Sequence, residues 1–208
     1  MSGAGRGDGA PVTGVILAGG SNRRMGGRFK ALLPWNGRPL IEHQLEQMRR
    51  LCSDIVIVTN RPDDLAMYAC GTVRLAADLH PGEGPLAGMQ AAWAAARGDL
   101  AWIVACDMPF VSAAAAEAMA ELQAGSGCEA VVPQLDGRVQ PLHGVYSRSC
   151  AERIDRLLAG GERRVMRLLD GVSWRAADEA FFAGKGIDLR FVLNINSVEQ
   201  YEALCYDK

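Results

Sequence analysis

No stretch of the sequence approaches the roughly 18–20 consecutive apolar residues that a membrane-spanning helix requires, so we expect no membrane partner. The chain also lacks a basic excess, since 22 lysines and arginines stand against 24 aspartates and glutamates, for a net charge of −2. General nucleic-acid binders are normally basic, so this balance argues against nucleic acid as a partner. The first residues contain no apolar core of a secretion signal, and we expect a short flexible lead over 1–11.

Closely spaced cysteines are missing as well. None of the six cysteines stands in a Cys-x-x-Cys pair, so the chain has neither a zinc-binding nor a redox motif of that kind. Because no export signal is present, the simplest interpretation is a cytoplasmic protein whose thiols are reduced.

Short runs that are apolar at nearly every position alternate with helical patterns in the first half of the chain. Such runs suit parallel strands that are buried on both faces, and we predict strands at 12–18, 54–59 and 101–105. Helices are predicted at 39–51, 86–97 and 113–124, the last with Ser112 as its N-cap and Gly125 as its stop. This alternation predicts an α/β fold, with one domain over 12–208 built on an open, mostly parallel sheet that carries helices on both faces.

The second half of the chain has a looser pattern. We predict strands at 129–133, 142–147 and 191–194, and helices at 150–158, 162–169 and 198–205. No repeat or long linker divides the chain, so one domain with an elaborated second half is the simplest account.

A glycine-rich basic segment follows the first predicted strand. Its glycines allow positive φ and close approach to a ligand, and successive backbone N–H groups in such a turn can hold an anion. Arg23, Arg24, Arg28 and Lys30 lie in it with no acidic residue from 21 to 30. The spacing matches neither the Walker A motif nor Gly-x-Gly-x-x-Gly, which argues against a dinucleotide redox fold. A nucleoside triphosphate fits this charge, and a solvated basic loop is the alternative.

Asp107 follows the buried run at 101–105, where the carboxyl end of a strand faces the ligand crevice of an open α/β sheet. A carboxylate there suits Mg²⁺, which binds through one or two carboxylates and substrate phosphates. The alternative is an aspartate that caps a helix or turn. Cys106 is more typical of a packed residue than of a nucleophile, while His80 and His143 stay open as bases.

Several segments together resemble the molybdenum cofactor guanylyltransferases, which belong to the Rossmann-like nucleotidyltransferases. The resemblance covers nearly the whole chain from about residue 12, and it implies a fold like that of the nucleotide-diphospho-sugar transferases. It is carried by LAGGSNRRMGGRFK at 17–30, GPLAGM at 84–89, CDMP at 106–109, QPLHGVYS at 140–147, GGERRVM at 160–166 and FVLNINSVEQYEAL at 191–204.

This resemblance implies a reaction and a set of site residues. The family transfers GMP from GTP to the terminal phosphate of molybdopterin with Mg²⁺ and releases pyrophosphate, and other proteins of cofactor biosynthesis, or acceptor proteins, are implied partners. The implied nucleotide-binding residues are Leu17, Ala18, Gly19, Gly20, Lys30, Asn60, Asp78 and Asp107. The implied catalytic residues are Arg24, Lys30 and Asp107, the metal residues Asp107 and Asn196, and the molybdopterin-side candidates Arg163 and Arg164.

The charged residues of the two segments suit the transfer of a nucleotide to a phosphate. A phosphate acceptor is already an anion, so no strong general base is needed and catalysis reduces to positioning and charge neutralisation. Lys30, Arg24 and Mg²⁺ on Asp107 suit that task. We predict that Asp78, or a nearby backbone group, accepts hydrogen bonds from the N1–H and N2–H₂ edge of guanine.

Alternatives stay open for several of these residues. Asn60 also suits a turn before a proline, and Asp78 a solvated loop. Arg163 and Arg164 also suit an ordinary solvated helix face. The chain departs from the family at Phe29, where the family usually carries an aspartate before the lysine.

Other functions remain possible on the same sequence. A cytidylyltransferase for the same cofactor, or a sugar- or isoprenoid-phosphate nucleotidyltransferase, would share the fold. A non-catalytic GTP- or cofactor-binding protein is the alternative from a different class, and Phe29 is the one feature that favours it.

Overall fold

The protein is represented by a computed structural model that describes residues 11–19, 28–78, 80 and 82–206. All of the predicted flexible lead except Pro11 therefore lies outside the described residues. The described strands are β1 (Val12–Ala18), β2 (Pro34–Trp35), β3 (Arg38–Pro39), β4 (Asp54–Thr59), β5 (Val73–Ala77), β6 (Leu100–Ala105), β7 (Ala130–Leu135), β8 (Arg138–Val139), β9 (Gly144–Ser147) and β10 (Trp174–Ala177).

Helices connect most of these strands. The described α-helices are α1 (Leu40–Leu51), α2 (Pro62–Leu65), α3 (Pro85–Ala95), α4 (Ala113–Ser126), α5 (Cys150–Ala159), α6 (Met166–Leu169), α7 (Glu179–Ala183) and α8 (Val198–Tyr206). Single 3₁₀ turns lie at Lys30–Leu32, Ala66–Tyr68 and Leu189–Val192. None of the helices in the described ranges has the length and apolar character needed to cross a membrane.

One eight-stranded sheet organises the fold, in the order β10-β7-β9-β6-β1-β4-β5, with β8 paired to β7. The neighbours β6, β1, β4 and β5 all run parallel, and so do β7 and β10. Strand β9 runs antiparallel between β6 and β7. The predicted fold class, an open and mostly parallel α/β sheet, is thus confirmed, and β2 with β3 forms a small separate hairpin.

Helices cover both faces of the sheet because side chains along the central strands alternate between two cores. In β1, Ile16 joins one core and Val15 the other, and every residue of that strand is buried. The first core also contains Ile41 of α1 and Met119 of α4, whereas the second contains Met89 of α3 and residues of α5. The continuous apolar runs therefore follow from burial on both sides.

Helix α4 begins as predicted and ends later. The Ser112 hydroxyl accepts a hydrogen bond from the N–H of Ala115 at 3.2 Å, which confirms the predicted N-cap. The predicted stop at Gly125 is wrong, since the helix continues to Ser126 and ends at Gly127. That glycine has a φ of 66°, in the left-handed region that ends many helices.

The predicted strand at 191–194 is wrong. Its first half belongs to the Leu189–Val192 turn, because the Phe191 ring is buried against other rings instead of lying along a strand ladder. Its centroid lies 4.6 Å from that of His143 and 4.8 Å from that of Phe182. The sequence analysis also missed β5 and β10, which are half-exposed edge strands and therefore have no continuous apolar run.

The predicted helix at 162–169 is reduced to α6. Its first residues form a turn around the Glu162 carboxylate, which accepts hydrogen bonds from the backbone N–H groups of Arg163 and Arg164 at 2.9 and 3.0 Å. This local bonding replaces the first turn of a longer helix.

Strand β9 is tightly packed at its first residue. A Cβ on Gly144 would lie 2.8 Å from both a Tyr146 ring carbon and a Val132 methyl group, and 3.2 Å from the carbonyl oxygen of Pro141. Both side chains are fully buried, so neither has free space into which to move. Residue 144 therefore has no room for a side chain.

We predict that Gly144→Ala lowers the free energy of unfolding by about 1–3 kcal/mol, because the added methyl group overpacks the core. Gly125→Ala is the matched control, since nothing lies within 4 Å of its Cβ position and alanine stabilises a helix interior by about 0.4–1 kcal/mol. Urea denaturation of both variants checks the prediction, and equal stability of the two would contradict the packing described for β9.

Candidate active site

The carboxyl ends of four neighbouring parallel strands meet at one edge of the sheet. Ala18 of β1 pairs with Thr59 of β4, which pairs with Ala77 of β5, and Leu17 pairs with Ala105 of β6. The residues that follow these ends therefore lie along a common edge, as the sequence analysis expects. They are Gly19, Asn60, Asp78 and Asp107.

Lys30 and Asp107 form an ion pair at this edge. The Lys30 Nζ donates to Asp107 Oδ2 at 2.9 Å, and each side chain is only 16% exposed. The second carboxylate oxygen, Asp107 Oδ1, is buried and has no hydrogen-bond partner among the described residues. Buried polar atoms are normally bonded, so this oxygen is available to a ligand that the protein does not itself supply.

A buried glutamine holds the turn that carries Asp107. The Gln44 Nε2 of α1 donates to the carbonyl oxygens of Ala105 and Met108, each at 2.9 Å. From the other side, the N–H of Ile195 donates to the carbonyl oxygen of Asp107 at 2.8 Å. Three backbone carbonyls around the carboxylate are thus fixed by groups distant in sequence.

The 3₁₀ turn that carries Lys30 also docks against the end of β6. Ala31 of this turn and Cys106 are buried in the same core, and the Cys106 N–H donates to the carbonyl oxygen of Leu17 at 3.1 Å. Burial raises the pKa of the Cys106 thiol to about 12, so it stays protonated at neutral pH and does not suit a nucleophile. Cys106 is a packing residue, as its sequence context indicates.

Asp78 lies directly against the end of β1. A Cβ on Gly19 would lie 3.2 Å from Asp78 Oδ2, so any side chain at position 19 would require a small shift of the Asp78 carboxylate. The N–H of Asp78 donates to the carbonyl oxygen of Thr59 at 3.1 Å, and Asp78 Oδ1 accepts from the N–H of His80. Asn60 is exposed next to this group.

The two asparagines of the Asn-Ile-Asn segment have different surroundings. Asn196, the predicted metal residue, is exposed, and its N–H donates to Gln200 Oε1 at 2.8 Å. The side-chain oxygen of Asn194 is buried without a hydrogen-bond partner in the described part of the chain, one residue before the Ile195 that bonds Asp107. The sequence interpretation chose Asn196 and missed Asn194, although the Asn-Ile-Asn segment contains both residues.

Oxygen ligands of this kind fit a hard divalent cation. Mg²⁺ prefers carboxylate and carbonyl oxygens, and Asp107 Oδ1 and Asn194 Oδ1 are both buried and unpartnered within the described residues. No group of three or more His, Cys, Asp or Glu side chains that could hold a metal ion exists among the residues described. The donors present therefore suit Mg²⁺ that also binds substrate phosphates.

Arg163 joins the α5–α6 connection to the segment before α3. Its guanidinium forms an ion pair with Glu83 at 3.0 Å and donates to the carbonyl oxygens of Leu158 and Glu162, each at 3.1 Å. Arg164 pairs with Glu162 at 2.9 Å, and 69% of its side chain is exposed. Bonds from Arg164 and from the Arg163 backbone lower the pKa of the Glu162 carboxyl to about 2.

The remaining predicted residues fall into two groups. Gly20 and Arg24, together with Arg23, lie outside the described residues. His143 is fully buried, its Nε2 accepts from the N–H of Ser112 at 3.2 Å, and burial lowers its pKa to about 3. His143 is therefore a neutral core residue and not a base, whereas His80 is exposed near Glu83.

Comparison with known proteins agrees with this geometry. The family model described as a MobA-like NTP transferase domain matches residues 14–177. A protein of Desulfosudis oleivorans named molybdenum cofactor guanylyltransferase is 35% identical over 92% of this chain and 93% of its own length. A protein of the same name from Pseudomonas entomophila is 36% identical over 76% of this chain and 81% of its own length.

A solved structure supports the same relationship. The crystal structure of molybdopterin-guanine dinucleotide biosynthesis protein A from Archaeoglobus fulgidus aligns with a TM-score of 0.80 and 26% identity. The alignment covers 93% of this chain and 96% of that one, so it includes both halves of the sheet.

We predict that Gln44→Met destabilises the protein by about 1–3 kcal/mol, because it leaves the buried carbonyl oxygens of Ala105 and Met108 without their side-chain donor. Gln47→Met is the matched control on the same helix, since its half-buried side chain makes only a 3.4 Å contact with the Ala113 N–H. Chemical denaturation measures both effects. Equal, small losses would show that Gln44 does not hold the turn.

Proposed function

Because the chain belongs to the family of MobA-like NTP transferase domains and is therefore a nucleotidyltransferase, we propose that it transfers GMP from GTP to the terminal phosphate of molybdopterin, with release of pyrophosphate. The observation that carries the proposal is the Lys30–Asp107 pair at the carboxyl end of β6, with one carboxylate oxygen that has no partner among the described residues. Relatives more than 30% identical that are named guanylyltransferases support GTP as the donor.

Lys30 supplies positive charge to the reaction. An oxygen of the acceptor phosphate attacks the α-phosphorus of GTP, and the bond from that phosphorus to the departing pyrophosphate breaks. The acceptor oxygen carries no proton that must be removed, so no base is needed. The ammonium group of Lys30 neutralises charge on the phosphate oxygens, and Arg24, on the same basic segment, is proposed to share this role.

Asp107 and Asn194 are the residues that would hold Mg²⁺ in this proposal, through the two buried oxygens that have no partner among the described residues. When bound, Mg²⁺ supplies charge neutralisation at the phosphates of the nucleotide. Asn196 remains a predicted residue of the same site. Gln44 and the Ile195 N–H keep the Asp107 carboxylate in place, so the chain does not have to reorganise it during the reaction.

Asp78 is proposed to select guanine. Its carboxylate would accept hydrogen bonds from the N1–H and N2–H₂ groups of guanine, which adenine does not offer. The His80 N–H donates to Asp78 Oδ1 and so helps to orient the carboxylate. The nucleotide would then extend from Asp78 and Asn60 across Leu17, Ala18 and Gly19 towards Lys30, and Gly20 remains a residue that only the sequence assigns to the site. This direction follows the order of strand ends β5, β4, β1 and β6 along the edge.

The acceptor side is proposed to use Arg164. Its side chain is largely exposed, and Glu162 accepts hydrogen bonds from its Nε and Nη2, so its remaining N–H donors can bind the molybdopterin phosphate. Arg163 is committed to Glu83 and to two backbone carbonyls, and we assign it to orienting this segment. Proteins that deliver molybdopterin or receive the product are the proposed macromolecular partners.

Pyrophosphate release from GTP, CTP and ATP, with molybdopterin and Mg²⁺, tests the proposal. We predict release with GTP, its loss on addition of a chelator, and a fall of about 10²-fold or more in Asp107→Asn, because a charge that stabilises the transition state is removed. Asp99→Asn is the control, since Asp99 is exposed and pairs only with Arg148. Release with CTP instead would make the protein a cytidylyltransferase, and GTP binding without release would make it a binding protein.

We further predict that Asp78→Asn lowers kcat/KM for GTP by about tenfold or more while any activity with ATP changes little, because an amide group places a donor opposite the donors of guanine. Asp63→Asn, in the exposed first turn of α2, is the control and should leave the preference unchanged. Parallel kinetics with both nucleotides measure the ratio. An unchanged ratio in Asp78→Asn would assign guanine selection to a backbone group.

A further inference from the structure

We propose that Phe29 and Arg61 form a positioning pair that fixes Lys30 relative to the segment that carries Asn60. This inference rests on the proposed function, because it assigns a role in the reaction to residues that do not themselves touch the reacting atoms.

The contact between the two side chains is direct. The guanidinium carbon of Arg61 lies 4.7 Å from the centroid of the Phe29 ring, within the range of a cation–π interaction. Phe29 as a whole is only 7% exposed, and it belongs to the core that also contains Ile41 and Val104. The ring is therefore fixed by core packing, and the Arg61 guanidinium lies on this fixed surface.

Each partner is next to a residue of the proposed site. Phe29 immediately precedes Lys30, whose ammonium group bonds Asp107, and Arg61 immediately follows Asn60. The Phe29–Arg61 contact thus joins the turn on the phosphate side to the segment on the base side.

The Arg61 segment is itself tied to the sheet. The backbone N–H of Arg61 donates to the Thr59 hydroxyl at 3.0 Å, which donates to the carbonyl oxygen of Ala18 at 3.4 Å. The guanidinium also forms an ion pair with Asp64 in α2. The Arg61 backbone is therefore linked to β4 and β1 through the Thr59 hydroxyl. Its guanidinium pairs with Asp64 and lies over the Phe29 ring.

A ring in this place differs physically from a carboxylate. A carboxylate at position 29 would meet the same guanidinium as an ion pair and would also lie one residue from the Lys30 ammonium group. The Phe29 ring keeps the link to Arg61 without adding a negative charge that competes for Lys30. Lys30 is then left with Asp107 as its ion-pair partner in the described part of the chain.

A double-mutant cycle on GTP turnover tests the pair. Phe29→Leu keeps an apolar side chain but removes the ring, and Arg61→Met keeps length but removes the charge. We expect each single variant to lower kcat by about three- to tenfold with a smaller change in KM, since Lys30 stabilises the transition state. The kcat of the double variant should be no lower than that of the less active single variant. Phe29→Tyr should have a kcat close to that of the wild type, because it retains an aromatic ring.

Several outcomes would overturn the inference. Losses that multiply in the double variant would mean that the two side chains act independently, and single variants with the activity of the wild type would mean that neither positions Lys30. If Phe29→Leu does not fold, Arg61→Lys takes its place in the comparison with Arg61→Met. Lysine should retain most of the activity by keeping a cation over the ring, and equal losses in both would overturn the pair.

The design separates this inference from the proposed function. If the wild-type protein releases no pyrophosphate from any nucleotide, the proposed function fails. If the wild type is active and the cycle is multiplicative, only the role of Phe29 and Arg61 fails. Thermal melting of each variant ensures that the kinetic comparison is made where all of them are folded.

Discussion

The ion pair between Lys30 and Asp107 joins two segments that are 77 positions apart in the chain, and the remainder of the site is arranged around it. Each charge is largely shielded from water, so each depends on the other for compensation. The turn at Lys30 and the end of β6 are held together by this pair and by the burial of Ala31 and Cys106 in one core. A displacement of either segment would leave a charge without its partner, which makes the relative position of the two segments energetically costly to change.

The same pair explains how the proposed nucleotide site could be ordered before any ligand binds. The ammonium group of Lys30 neutralises one oxygen of Asp107, while Gln44 and Ile195 hold the backbone on both sides. The other oxygen has no partner within the described ranges. Rigid backbone and one free oxygen are what a preorganised cation site requires. The structural role of Gln44 and the catalytic role proposed for Asp107 are therefore two aspects of one arrangement.

The central part of the fold could be predicted from the sequence, because buried parallel strands are apolar on both faces and need no tertiary information to be found. The edge strands β5 and β10 could not, since their half-exposed residues resemble loops. Likewise, the place of Asp107 after a buried strand indicated its position at the edge where the parallel strands end. The role of Gln44 depends on contacts between distant segments, and no local pattern encodes it. The strand predicted at 191–194 was wrong because a phenylalanine that fills a core and a phenylalanine in a strand cannot be distinguished in the sequence.

The reversed direction of β9 has a consequence for how the chain supplies loops to the site. Gly144, at its first residue, pairs with Ile103 near the carboxyl end of β6, so the chain enters β9 from the edge at which its parallel neighbours end. The last residue of β7 and the first residue of β9 therefore lie at the same edge of the sheet. Residues 136–143 connect them without crossing the sheet. A parallel strand in this place would need a crossover connection to return the chain and would contribute one loop end to that edge. The antiparallel insertion contributes two, so one short connection adds two loop ends to the edge at which the proposed site lies.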